Sequence, residues 1–82
     1  MTMMTTASRS ELHLATSARR MLSIRRALGM TQRDWAYYLD VAVNTVSMWE
    51  TGRRAPSHLA EARIREVAAS QGLDLHTMRR FE

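Results

Sequence analysis

The sequence predicts an all-α domain of five short helices. Apolar residues recur at helical spacing in successive blocks, the three glycines and the single proline fall between those blocks, and no stretch alternates as a half-buried strand does. With 82 residues there is room for one compact domain. A chain of this size buries only a little over ~60% of the surface it would expose unfolded, so its core must be small. Hydrophobic residues at 45% and charged residues at 24% are ordinary for a folded soluble domain and argue against wholesale disorder.

Residues 1–15 are rich in Thr, Ser and Met without a clear period, and read as a flexible N-terminal arm in which Ser10 is the earliest helix start. From Ser17 the pattern changes. Ala18, Met21, Leu22, Arg25 and Leu28 share one helical face, and Gly29 is suited to the left-handed conformation that ends a helix, which gives a first helix over 17–28. Thr31 is a good N-cap, because its hydroxyl accepts from an amide of the next turn, and Trp35, Ala36 and Leu39 line one face of a second helix over 32–39.

Asp40-Val41-Ala42 is too short to let the next helix lie antiparallel, and Asp tolerates positive φ, so the chain must turn sharply there. Val46 and Trp49 or Glu50 then recur until Gly52, giving a third helix over 43–51. Arg53-Arg54-Ala55-Pro56 is a basic loop. Ser57 caps a longer helix that turns Leu59, Ala60, Ile64, Val67 and Ala68 inward and closes at Gly72. Asp74 reads as one more N-cap, with Leu73 and Met78 placed as a hydrophobic staple for a last helix over 75–81. The folded domain is thus expected over 16–82.

All twelve basic residues are arginine, and against eight acidic residues they leave a net charge of +4. This favours an anionic partner, but charge alone fits nucleic acid, an acidic protein, a membrane surface or a merely solvated face. The absence of cysteine excludes disulfides and thiolate zinc sites, and His13, His58 and His76 are too scattered for a metal site, so no metal or other cofactor is expected. No apolar run approaches the ~20 residues that span a bilayer, and the start Met-Thr-Met-Met-Thr-Thr is no secretory signal. The expectation is a cytoplasmic protein without a membrane partner. An enzyme finds little support, for there is no Gly-rich phosphate loop, no paired carboxylates in a cleft and no histidine with an evident triad partner.

Two short helices joined by a tight turn, the second followed by a glycine and a basic loop, form a helix-turn-helix over 31–51. The residues Met30-Thr-Gln-Arg-Asp-Trp-Ala, Leu39-Asp-Val, Val43-Asn-Thr-Val-Ser-Met-Trp-Glu-Thr-Gly and Arg54-Ala-Pro resemble the lambda-repressor-like (Xre/Cro) family over 18 to about 70. Locally, Val41-Ala-Val-Asn-Thr-Val-Ser resembles the DNA-binding half of MqsA-type antitoxins, without their cysteine-bearing zinc domain. The resemblance implies a compact lambda-repressor-like domain that binds double-stranded DNA and regulates, most often represses, transcription. It also implies that Arg25 and Glu50 form the partly buried ion pair that ties the first helix to the third. The chain departs from the family pattern where Asp40 replaces a usual Gly and Ala42 a usual Ser or Thr. A slightly strained turn should follow, with a third helix lacking a cap worth ~1 kcal/mol.

A helix in the major groove meets base edges with its first turns, so Val43, Asn44, Ser47 and Met48, which point away from Val46 and Trp49, are the candidate base readers. The Asn44 amide matches the N7 and N6 edge of adenine, a paired contact worth ~1 to 3 kcal/mol against the wrong base. Met48 offers only apolar contact to a thymine methyl. Thr31 and Gln32, at the positive start of the second helix, together with Arg33, Thr45, Arg53 and Arg54, are the candidate contacts to the DNA backbone. Trp35 and Trp49 fall at core spacing, while at least one of Tyr37 and Tyr38 must face outward. So small a module selects a site best as a homodimer on half-sites about one helical turn apart. Leu75, Met78 and Phe81 are candidates for the dimer interface, with the N-terminal arm as second choice, and equally fit residues that only cover a monomer's core. The alternative is an antitoxin that masks a toxin protein, with DNA binding serving autoregulation.

Overall fold

A computed structural model describes residues 8–73 and residue 75. Among these residues there are four helices: α1 (Arg9–Ala27), α2 (Gln32–Leu39), α3 (Val43–Glu50) and α4 (His58–Ser70). The last helix expected over 75–81, including Met78 and Phe81, lies outside the described residues apart from Leu75. Helices α2 and α4 keep the bounds read from the sequence to within a residue or two, and α3 ends one residue early.

Helix α1 begins eight residues before the expected start, so the arm read over 1–15 is helical from Arg9 onward. Local chemistry accounts for this. The Ser8 hydroxyl accepts from the Glu11 amide at 3.1 Å, and the Glu11 carboxylate accepts from the Ser8 amide at 2.8 Å. This reciprocal box satisfies two of the donors that a helix start leaves open. The same bonds to Ser8, the backbone one first, hold the Glu11 carboxyl below its ordinary range.

The core is built from Met21 and Ile24 of α1, Trp35, Ala36 and Leu39 of α2, Val46 and Trp49 of α3, and Ile64, Val67 and Ala68 of α4. The stripe expected on the first helix is displaced sideways: Ile24 is fully buried, whereas Ala18, Leu22 and Arg25 stand at the core's edge. Leu59 is corrected from inward to outward, being 82% exposed. It lies five residues before Ile64, which on a helix of 3.6 residues per turn places it on the opposite side. Trp35 is wholly buried, and its Nε1 is the one buried side-chain polar atom without a hydrogen-bond partner among the described residues.

Two arginines fasten the outer layer. Arg20 of α1 donates from Nη1 to both carboxylate oxygens of Glu61 on α4, at 2.9 and 3.0 Å. Arg63 of α4 donates to the Tyr38 carbonyl at the end of α2, 3.3 Å away. Leu73 and Leu75 pack against the core as partly buried residues, so Leu75, a candidate for the dimer interface, covers its own chain. No helix among the described residues is long and apolar enough to cross a membrane.

Candidate nucleic-acid interface

The site begins with how α2 is closed. Thr31 Oγ1 accepts from the Asp34 amide at 3.0 Å, and Asp34 returns a bond to the Thr31 amide at 3.2 Å. At the other end Asp40 sits at φ 58° and ψ 46°, the left-handed conformation anticipated for the turn. The Asp40 and Val41 amides donate back to the carbonyls of Tyr37 and Ala36 at 3.2 and 3.0 Å. The chain has then reversed enough to start α3 after only two more residues.

Helix α3 opens on Ala42, which already has the extended backbone of an N-cap but supplies no side-chain acceptor. Its inner side carries Val46 and Trp49. Of the predicted base readers, Val43 and Asn44 are exposed in the first turn, while Ser47 and Met48 are half-buried further along, as is Thr45. After Thr51 the chain folds back on the helix end, where the Met48 carbonyl accepts from the amides of Arg53 at 3.0 Å and Arg54 at 3.3 Å. Gly52, at φ 76°, makes this reversal in a conformation that side-chain-bearing residues rarely adopt. Both loop arginines are exposed.

The Glu50 carboxylate locks these parts together. Arg25 donates from Nε to Oε2 at 2.7 Å and from Nη2 to Oε1 at 2.9 Å, and its remaining nitrogen donates to the Met30 carbonyl at 2.9 Å. Gln32, the first residue of α2, donates from Nε2 to Glu50 Oε1 at 3.0 Å. The Glu50 side chain is only 5% exposed. Burial pushes its carboxyl up, but the hydrogen bonds from Arg25 and Gln32, with the charges of Arg25 and Arg26, outweigh that and hold it below the usual carboxylate range. The Arg25 guanidinium is correspondingly held up, first by its hydrogen bond to Glu50.

The pairing of Arg25 with Glu50 is the one the family resemblance implies, whereas the bond from Gln32 to Glu50 was not expected. Gln32 is a candidate to meet a phosphate with its side chain and local amides, and in this structure the side chain donates to Glu50. No sequence signal marks this bond, because a polar residue at the start of a helix ordinarily faces water. Its consequence is positional: the start of α2, with exposed Thr31 and Arg33, is drawn to the end of α3, where Arg53 and Arg54 emerge. Four of the six candidate backbone contacts therefore stand exposed around one end of α3, and Val43 and Asn44 stand exposed at the other. Tyr37 and Tyr38 are both exposed, at 81% and 44%, and meet edge to face with ring centres 5.7 Å apart.

No curated protein and no solved structure matches the chain. A family model described as helix-turn-helix matches residues 21–57, from the middle of α1 to the residue that caps α4. The sharp turn at Asp40, the exposed first turn of α3 and this match agree: the chain carries a helix-turn-helix at α2 and α3.

Proposed function

We propose that this protein is a sequence-specific DNA-binding regulator of transcription, a repressor that inserts α3 into the major groove of an inverted-repeat operator as a homodimer. One observation carries the reading above the others. A helix of only eight residues is gripped at its far end through Glu50, while its first turn offers Val43 and Asn44 to a partner. A helix that served only the core would have no reason to leave that turn uncovered and flank its other end with exposed arginines that have no carboxylate partner among the described residues. In this reading Asn44 reads adenine, Val43, Ser47 and Met48 make the neighbouring groove contacts, and Thr31, Arg33, Thr45, Arg53 and Arg54 meet phosphates. Gln32 contributes its backbone amide at the start of α2, since its side chain holds Glu50.

Selection from a pool of random duplexes at fixed salt tests the reading. The expected outcome is an inverted repeat with adenine at one position of each half-site, and loss of that preference in Asn44→Ala, worth ~1 to 3 kcal/mol of discrimination. A pool that shows no enrichment rejects it. Light scattering on the protein with and without the selected duplex tests the dimer. The antitoxin alternative draws on the local resemblance of residues 41–47 alone.

A further inference from the structure

We infer that the flank of α1 bearing Arg19 and Arg26 is a second contact to the DNA backbone, alongside the basic loop and the start of α2. The inference rests on the DNA-binding reading above and adds two residues that the helix-turn-helix itself does not contain. Arg19 and Arg26 are seven positions apart, two turns of α1, so they project from nearly the same side of the helix about 10 Å apart along its axis. At Arg19 that side adjoins the end of α3. Arg19 lines a shallow groove with Glu50, Thr51 and Gly52, beside the point where Arg53 emerges. Arg26 follows Arg25, the residue that holds Glu50, and its charge acts on the same carboxylate.

Both guanidinium groups are exposed and, among the described residues, neither has a carboxylate partner. The contrast within α1 is informative. Arg20, about 100° round the helix from Arg19, is neutralised by Glu61, and Arg25 is neutralised by Glu50. Of the two carboxylates that line the groove with Arg19, Glu50 is bonded by Arg25 and Gln32, and Glu11 accepts from the Ser8 amide. Two exposed cations without an ion-pair partner among the described residues thus stand in a row on this flank. A duplex presents one phosphate per strand about every 3.4 Å of its axis, so a pair of cations with this separation meets phosphates along a single strand.

The test is the salt dependence of binding to a mixed-sequence duplex, followed by fluorescence anisotropy between about 50 and 200 mM NaCl. Each phosphate contact contributes about 0.9 to the slope of log K against log salt. Arg19→Gln and Arg26→Gln are each expected to lower the slope by about 0.9, and the double variant by about twice that. Arg65→Gln, which removes an exposed charge from α4 one turn beyond Glu61, should leave it unchanged. Melting curves matching the wild type confirm that these surface changes leave the fold intact. If Arg53→Gln lowers the slope while both α1 variants keep the wild-type value, the second contact is overturned and the DNA-binding reading stands. If the wild type binds no duplex at any salt, that reading falls and the inference with it. A fall of equal size in Arg65→Gln also overturns the inference, since the effect would then be general charge and not this flank.

Discussion

Helices α2 and α3 are both eight residues long, yet they are held in opposite ways. Helix α2 is closed at both ends, by the Thr31 and Asp34 box at its start and by left-handed Asp40 at its finish, and it buries Trp35, Ala36 and Leu39 between them. Helix α3 has no side-chain cap, buries only Val46 and Trp49, and depends on its last residue, Glu50, for its polar attachment. A helix of two turns is unstable alone, because nucleation is costly and few bonds repay it. The comparison therefore shows where the stability of α3 comes from: its second half is docked, and its first half is carried by the docking. This division leaves the Val43 and Asn44 turn uncovered without letting the helix dissolve.

The strongest way to break this arrangement is to remove the attachment. Glu50→Ala leaves Arg25 in a half-buried place without its carboxylate and frees Gln32, and is expected to destabilise the domain by ~3 to 5 kcal/mol. A denaturant titration with a midpoint equal to the wild type would refute this. Acid reaches the same bond more gently. The folded protein holds the Glu50 carboxyl below its ordinary value, so the contribution of this group is complete above about pH 4.3 and is lost as pH falls from there through the folded value. The melting temperature should drop over that interval. Glu50→Gln should start lower at neutral pH and lose less on acidification, the remaining slope including Glu11, whose carboxyl is also held low.

Smaller changes sharpen the comparison by making α3 more like α2. Ala42 already has the backbone of a cap, at φ −71° and ψ 147°, so Ala42→Ser needs no rearrangement and should stabilise the protein by ~1 kcal/mol. Hydrogen exchange is expected to slow most at the amides of the first α3 turn; equal slowing throughout would contradict the account. Asp40→Gly relieves a left-handed conformation that glycine adopts freely, but also loosens the unfolded chain, and a net gain of a few tenths of a kcal/mol should appear as a slightly raised melting temperature.

Much of this was legible in the sequence where punctuation is strong. Thr31, Asp40, Gly52 and Ser57 mark the limits of α2 and α3 and the start of α4, and each does so through its own backbone or hydroxyl chemistry, which needs no knowledge of neighbours. The start of α1 was missed because residues 9–15 carry no apolar period: Leu12 is 57% exposed, and the capping box, not packing, begins the helix. The Ser8-Arg-Ser-Glu11 pattern was the available signal. Leu59 shows the converse failure, since hydrophobicity alone does not say which side of a helix a residue occupies. In the site, the Arg25 and Glu50 pair came from family resemblance. The bond from Gln32 joins residues 18 positions apart, and only the packing of α2 against α3 brings them within reach.

The early start of α1 has a mechanical consequence. The stretch from residue 9 to residue 16 is a rod about 12 Å long, so a group attached at residue 9 itself is carried on a fixed bearing. Its phase is set by the pitch of the helix: inserting one residue within that stretch swings the attachment by about 100° and advances it by about 1.5 Å. A probe or fused domain placed there would be aimed by residue count, like the hand of a dial.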